Sequence, residues 1–271
     1  MSYIALAVEA APRGASRRLA VRQALFFAVV VVLWQLLSGP VIDPMFVSNP
    51  VDVARQLHEW TMDGTLARAA WETLWVSVLS FAIGTAAGIV IGYVFASWSG
   101  LGDLLRPAMT ALYTLPKLVL APLFILWFGI GFEFRVVFAS FIVFFFVYYN
   151  TYSGVREVPD DLVKAVRLMG ATRTQLALRV IAPSALVWVA NGLKISLPYA
   201  FTGVIVAEML AGGKGLGHLL RTSSDQFFAA GTFAALVVIL VLALVIDAIV
   251  SHVTARALSW KGAGTDSSGG D

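Results

Sequence analysis

Residues 73–98 (TLWVSVLSFAIGTAAGIVIGYVFASW) run for 26 positions without an Asp, Glu, Lys or Arg. As an α-helix such a run reaches about 39 Å, enough to cross the ~30 Å hydrocarbon core of a bilayer with tilt. Five further apolar stretches accompany it. Residues 24–38 follow a cluster of Arg13, Arg17, Arg18 and Arg22, and residues 104–128 are interrupted by Pro116 and Lys117. Residues 136–155 carry no charge, residues 183–210 contain Asn191, Lys194 and Pro198, and residues 227–254 contain Asp247. With hydrophobic residues at 59% and charged residues at 13%, the chain carries about half the charge of a soluble domain, where roughly a quarter of residues are charged. The expectation is an all-α integral membrane protein with six transmembrane helices. Residues 1–22 read as a cytoplasmic segment, 23–258 as one transmembrane domain with a charged loop at 156–182, and 259–271 as a disordered cytoplasmic tail.

The basic residues orient this arrangement. With a cytoplasmic amino terminus, inside segments hold 12 of the 19 Lys and Arg residues, outside segments hold five (Arg55, Arg68, Arg135, Lys214 and Arg221), and Lys117 and Lys194 lie within spans. The positive-inside rule then places both termini and the charged loop in the cytoplasm. Residues 24–38 mimic a signal peptide, but no A-x-A-like site follows, so they are read as a retained first span. The basic excess lies in short loops beside apolar runs, which implies topology and no nucleic-acid partner. The absence of cysteine removes disulfides and thiolate chemistry, and His58, His218 and His252 are too far apart for a local metal motif. No metal and no catalytic residue is assigned.

Residues 156–183 (REVPDDLVKAVRLMGATRTQLALRVIAP) form the long charged segment between these spans. Pro159 suits a first helical position, Asp160 and Asp161 suit the positive end of the helix dipole, and Gly170 suits a left-handed stop. A helix of about ten residues, roughly 15 Å long, is expected. Thr172 with Gln175 three residues later forms a capping box, so a second helix is expected to start there and run towards Pro183. Leu162, Val166 and Met169 fall on one stripe of the first helix, while Lys164 and Arg167 point elsewhere. That pattern fits a short amphipathic helix lying against another protein, and equally a cytoplasmic loop that holds positive charge inside.

Three segments together resemble the permease subunits of bacterial ATP-binding-cassette (ABC) importers, in the branch that handles sulfonates, taurine, nitrate, bicarbonate and thiamine or riboflavin precursors. They are TLPKLVLAPLFILWFGIG at 114–131, the loop just described, and AEMLAGGKGLG at 207–217. The resemblance covers nearly all the chain after about residue 40. It implies a type I importer permease core working as a homodimer with two cytoplasmic ATPase subunits and an external solute-binding protein, with ATP and Mg bound by the ATPase and no cofactor in this chain. It also implies that the loop is the family's EAA motif, two coupling helices that sit in a groove of the ATPase. The positions carried over are Asp161, Leu162, Lys164, Ala165, Val166, Arg167, Met169, Gly170, Ala171 and Thr172, with Gly170 on the motif's glycine. Lys164 stands where the motif has glutamate and Val166 where it has its second alanine, so a salt bridge made through that glutamate is not expected here.

A P-loop would require Gly-x-x-x-x-Gly-Lys-Ser/Thr. GGKGLGH at 212–218 fails because Gly215 follows Lys214, and the topology places it outside. Intramembrane polar residues are then the remaining candidates. Ionisable side chains at helix centre cost about 2.5 to 3.5 kcal/mol on insertion scales, so Lys117, Lys194 and Asp247 need partners or water. Lys194 and Asp247 lie at similar depths and are expected to pair. Lys117 has no equally close carboxylate and is read as a pathway cation with Asn191, Lys194 and Tyr199. A lysine after the Pro116 position is frequent in the precursor-handling branch, so it does not identify an anion transporter. Glu208, near the outer end of the fifth span, fits either an outer gate or a helix-end carboxylate facing headgroup water. Gly84, Gly88 and Gly92 form a small-residue stripe for close helix packing. The competing class is a stand-alone secondary transporter driven by protons or sodium, which needs buried acids at the midplane, and only Asp247 clearly qualifies.

Overall fold

The computed structural model describes residues 13–257, which are almost wholly helical; the tail at 259–271 lies outside the described residues. Four helical stretches are long and apolar enough to cross a membrane: Thr65–Ser97, Phe132–Arg156, Thr174–Ala211 and Ala229–Thr254. A fifth is a bent pair, α5 (Ser99–Thr114) and the stretch Lys117–Phe128, which meet at 95°. The expected break at Pro116 and Lys117 is thus a right-angle turn. Leu115 and Pro116 are extended there, because proline disfavours helix in the residue before it. After the 3₁₀ turn Lys117–Leu120, the chain becomes helical again as α6 (Ala121–Phe128). The first expected span is α1 (Arg13–Leu37), apolar over Val21–Leu37. Those 17 residues give about 25 Å, the lower end of what crosses hydrocarbon.

Three helices make the core: α4 (Thr65–Ser97), α7 (Phe132–Arg156) and α10 (Ala182–Ala211). The glycine stripe brings the first two together. A Cβ at Gly84 would stand 2.5 Å from the Ser140 carbonyl oxygen, at Gly88 2.8 Å from Val147 Cβ, and at Gly92 2.9 Å from Thr151 Cβ. The residue numbers rise together, so α4 and α7 run parallel. On α7's other flank, Cβ atoms at Gly154 and Gly192 would stand 2.6 Å from Trp188 and 2.9 Å from Asn150. Here the numbers oppose, so α10 is antiparallel. Backbones this close gain dispersion contact that larger side chains would block, which is how helices associate where lipid supplies no hydrophobic drive. Val76, Val143, Val147, Ala200 and Val204 fill the seam and are fully buried.

At the end of the bundle where α4 begins, termed the outer end after the expected orientation, α2 (Pro44–Val47), α3 (Pro50–Met62) and α11 (Leu216–Asp225) pack on α12 (Ala229–Ala257) through Val53, Trp60, Ala234 and Ala235; the opposite end is termed inner. The amphipathic helix expected near residue 50 is therefore a cap on the bundle. α4 begins at Thr65, eight residues before the uncharged run, and so carries Arg68 and Glu72 on its first turns. The turn between α3 and α4 is closed by Asp63, whose carboxylate accepts the Thr65 N–H at 2.8 Å and is held below its ordinary pKa by that hydrogen bond.

Candidate functional site

The charged segment folds as its residues dictate at the bend. α8 (Asp160–Leu168) starts one residue later than expected, with Pro159 extended just ahead of it. Gly170 has φ +84°. Its N–H donates to the Arg167 carbonyl at 3.0 Å and the Ala171 N–H to the Val166 carbonyl at 3.3 Å, the paired bonds of a Schellman stop. The Thr172 N–H then donates to Gln175 Oε1 at 2.9 Å, and the Gln175 N–H to Thr172 Oγ1 at 3.3 Å, completing the capping box.

One expectation about this segment is corrected. The second helix does not end near Pro183. α9 (Arg173–Leu176) passes through a π-helical stretch, Ala177–Ile181, directly into α10, giving one helical rod from Thr174 to Ala211. Pro183 lies in the first turn after the wide π stretch, where its missing N–H is tolerated. Towards its own bundle α8 turns Val163 and Val166, which leaves Leu162 and Met169 of the expected stripe open. Val163 and Val166 are half-buried, whereas Leu162, Leu168 and Met169 are exposed, the last two by 89% and 86%. α8 lies across the inner ends of the bundle, so Val163 turns towards Val155 and Ile181. Asp161, Lys164, Ala165 and Arg167 are exposed, and Lys164 Nζ stands 3.5 Å from Asp161 Oδ1 within its own helix.

Lys117 sits at the right-angle turn and lines a cavity of about 300 Å³ with Phe146, Tyr199 and Thr202. No carboxylate pairs with it among the described residues. Its ammonium donates to the Tyr113 carbonyl at 2.8 Å and lies 4.9 Å from the Tyr113 ring centroid, so α5's last turn supplies the compensation an intramembrane cation needs. Tyr199 stacks on Phe146 at 4.3 Å. Asn191, Lys194, Tyr199 and Thr202 share one exposed face of α10. The expected pair Lys194 and Asp247 does not form. Both side chains are exposed, on α10 and α12, and neither belongs to an ion pair among the described residues.

Glu208 does not face headgroup water. Its side chain is fully buried, accepting from Thr73 Oγ1 at 2.9 Å and from the Gly217 N–H at 2.9 Å, with Arg135 Nη1 at 3.7 Å. Thr73 Oγ1 in turn accepts the Leu216 N–H at 2.9 Å. This outer latch ties α4, α7 and α10 to α11. It requires close approach: Cβ atoms at Gly215 and Gly217 would collide with the Glu208 side chain and the Ile205 carbonyl. Sequence reasoning missed Thr73 and Arg135. Arg135, counted with the outside loops, is only 6% exposed. The signal for it was a lone cation at the start of a charge-free run, opposite an acid at a span end.

Residues 65–259 match the family of binding-protein-dependent transport system inner membrane components. The chain belongs to this family. It is 29% identical over 247 residues to the formylaminopyrimidine transport permease protein ThiX of Halalkalibacterium halodurans, covering 89% of this chain and 96% of that one. It is 25% identical over 256 residues to the taurine transport system permease protein TauC of Escherichia coli, covering 91% and 92%. The fold is shared with a solved inward-facing MetNI methionine ABC transporter, at a TM-score of 0.64 and 22% identity, covering 73% of this chain and 98% of that one. The protein is a permease subunit of an ABC importer for a small solute, and ATP is hydrolysed by a separate subunit. That class leaves no support for a stand-alone ion-coupled transporter.

Proposed function

We propose that this chain pairs with a second copy to form the translocation pathway for a small solute of the sulfonate, taurine, nitrate, bicarbonate or vitamin-precursor class. A binding protein delivers the solute outside, and two ATPase subunits dock inside on residues 156–182. The observation that carries this reading is the rod Thr174–Ala211: 38 residues, about 57 Å, joining the capped bend at Gly170 to the face bearing Asn191, Lys194 and Tyr199. The exposed Leu168 and Met169 supply the apolar contact with the ATPase. When ATP binding draws the ATPases together, each displaces the bend. The rod then carries that displacement to the pathway face, a shift between two packings of the same helices.

The pathway face is argued from desolvation. An exposed Lys194 in lipid would cost about 2.5 to 3.5 kcal/mol, so that face borders water, solute or the second copy. Lys117 and Tyr199 meet in the adjoining cavity and contribute a cation and an aromatic wall. The test is uptake in vesicles reconstituted with the permease, its ATPase and its binding protein. Lys117→Met should lower uptake while the ATPase still copurifies, and unchanged uptake would remove Lys117 from the pathway. Orientation is checked in the same cells: a cysteine at Thr172 should resist an impermeant reagent from outside, and one at Met62 should react.

A further inference from the structure

A cavity of about 340 Å³ opens between the first turns of α4 and the loop into α11, lined by Arg68, Trp71, Glu72, Lys214, His218 and Leu219. Its depth follows from the sequence. The charge-free run begins at Thr73, so Glu72 and Arg68 are the first charges outward along α4. At 33 residues α4 is about 50 Å long, well beyond a ~30 Å hydrocarbon core, which leaves these turns at headgroup level. Trp71, 69% exposed, has the amphipathic ring that favours that layer.

The polar groups of the cavity are held in place from behind. Arg135 Nη1 donates to the Lys214 carbonyl at 3.4 Å, and shortly after it the Leu216 and Gly217 N–H groups are the latch donors to Thr73 and Glu208. The Lys214 backbone is therefore fixed while its side chain is 70% exposed, with the ammonium 3.7 Å from a Glu72 carboxylate oxygen. Arg68 Nε and Nη2 donate to the Gly64 and Asp63 carbonyls at 3.2 Å, which orients the guanidinium and leaves its other N–H groups for a ligand. Two cations, Arg68 oriented by its carbonyl acceptors and Lys214 carried on a fixed backbone, against one carboxylate leave a net single positive charge, beside the apolar Leu219 and the indole.

We propose that this cavity binds the phosphodiester headgroup of an anionic phospholipid, with Arg68 and Lys214 on the phosphate and Trp71 and Leu219 against the glycerol and first acyl carbons. A phosphodiester carries the one negative charge the site lacks. A freely diffusing inorganic anion makes no use of the apolar wall, which sets the lipid apart from free phosphate. The site is independent of which solute crosses.

The test uses the full-length chain with its ATPase in nanodiscs of phosphatidylcholine containing a minor fraction of phosphatidylglycerol. Native mass spectrometry after transfer to detergent counts retained lipid, and short-chain phosphatidylglycerol is titrated to give affinity. The wild type should retain phosphatidylglycerol in preference to phosphatidylcholine. The Arg68→Gln/Lys214→Gln variant should bind it about 30-fold more weakly, the factor expected for two basic residues at an anionic surface. Lys214→Arg should restore most of the loss. Because Arg68 also steadies the α3–α4 turn, Lys214→Glu alone serves as a second variant and should abolish the preference. Equal retention of both lipids, wild-type affinity in the variants, or displacement by millimolar inorganic phosphate would overturn the proposal.

Discussion

The two ends of the rod Thr174–Ala211 are finished in opposite ways. At the outer end Glu208 is fully buried, with a hydroxyl, a backbone N–H and a guanidinium around its two oxygens, and those partners come from α4, α7 and α11. At the inner end the chain turns through a Schellman stop and a capping box, and Leu168 and Met169 stay in the open. The outer end is completed by the chain's own tertiary contacts. The inner end has an exact local shape and an unfilled apolar surface. Stability therefore concentrates at the Glu208 end, and the proposed docking surface lies at the Gly170 end, so substitutions at the two ends should separate folding from function.

The largest effect is expected at the latch. Glu208→Ala leaves Thr73, the Gly217 N–H and Arg135 without their acceptor, which costs about 3–5 kcal/mol when one partner of a buried ion pair is removed. Thermal unfolding in detergent should show the loss, and Glu208→Gln should recover part of it. Wild-type stability in Glu208→Ala would erase the contrast between the two ends. Next comes the glycine seam. Gly88→Leu puts a side chain where a Cβ already meets Val147 at 2.8 Å, an overpacking worth about 1–3 kcal/mol or more, read as lower yield and melting temperature.

The inner end should respond differently. No atom stands within 4 Å of a Cβ placed on Gly170, so Gly170→Val suffers only the backbone penalty of a left-handed residue, about 1–2 kcal/mol. The bend should absorb it by reorienting α8. Melting temperature should hold while ATPase copurification and ligand-stimulated hydrolysis fall. Leu168→Ser with Met169→Ser should shift stability within about 0.5 kcal/mol, as exposed substitutions do, yet release the ATPase. A variant that melts early and keeps its ATPase would reverse the assignment of the two ends. The smallest effect is at Asp63. Its carboxyl lies below the ordinary range in the folded state, so its contribution is present above that range and is lost as pH falls through the lowered pKa. Hydrogen-exchange protection at the α3–α4 turn, taken relative to the intrinsic exchange rate at each pH, should fall on acidification, and Asp63→Asn should remove that dependence.

Local chemistry was legible where one stretch of chain decides the outcome. Gly170, Thr172 and Gln175 make their bonds to residues three to five positions away, and Pro116 breaks its helix through a clash with its own neighbour. The glycine stripe was legible as a packing face because four-residue spacing keeps three hydrogens on one side of a helix. The partner α7, and the parallel register against it, was not.

Pairings across the bundle were decided only by the tertiary structure. Depth along a helix said that Lys194 and Asp247 lie at similar heights, but not that they point to exposed faces of different helices. The same arithmetic put Glu208 near the outer surface and could not say that α11 folds over it. Membrane class and the capped bend at Gly170 follow from hydropathy and backbone geometry, which act within one turn or one helix length. Burial, ion pairing and the latch depend on how helices rotate and which loop closes over them, and those are set by contacts between residues more than a hundred positions apart, as Thr73 and Glu208 are.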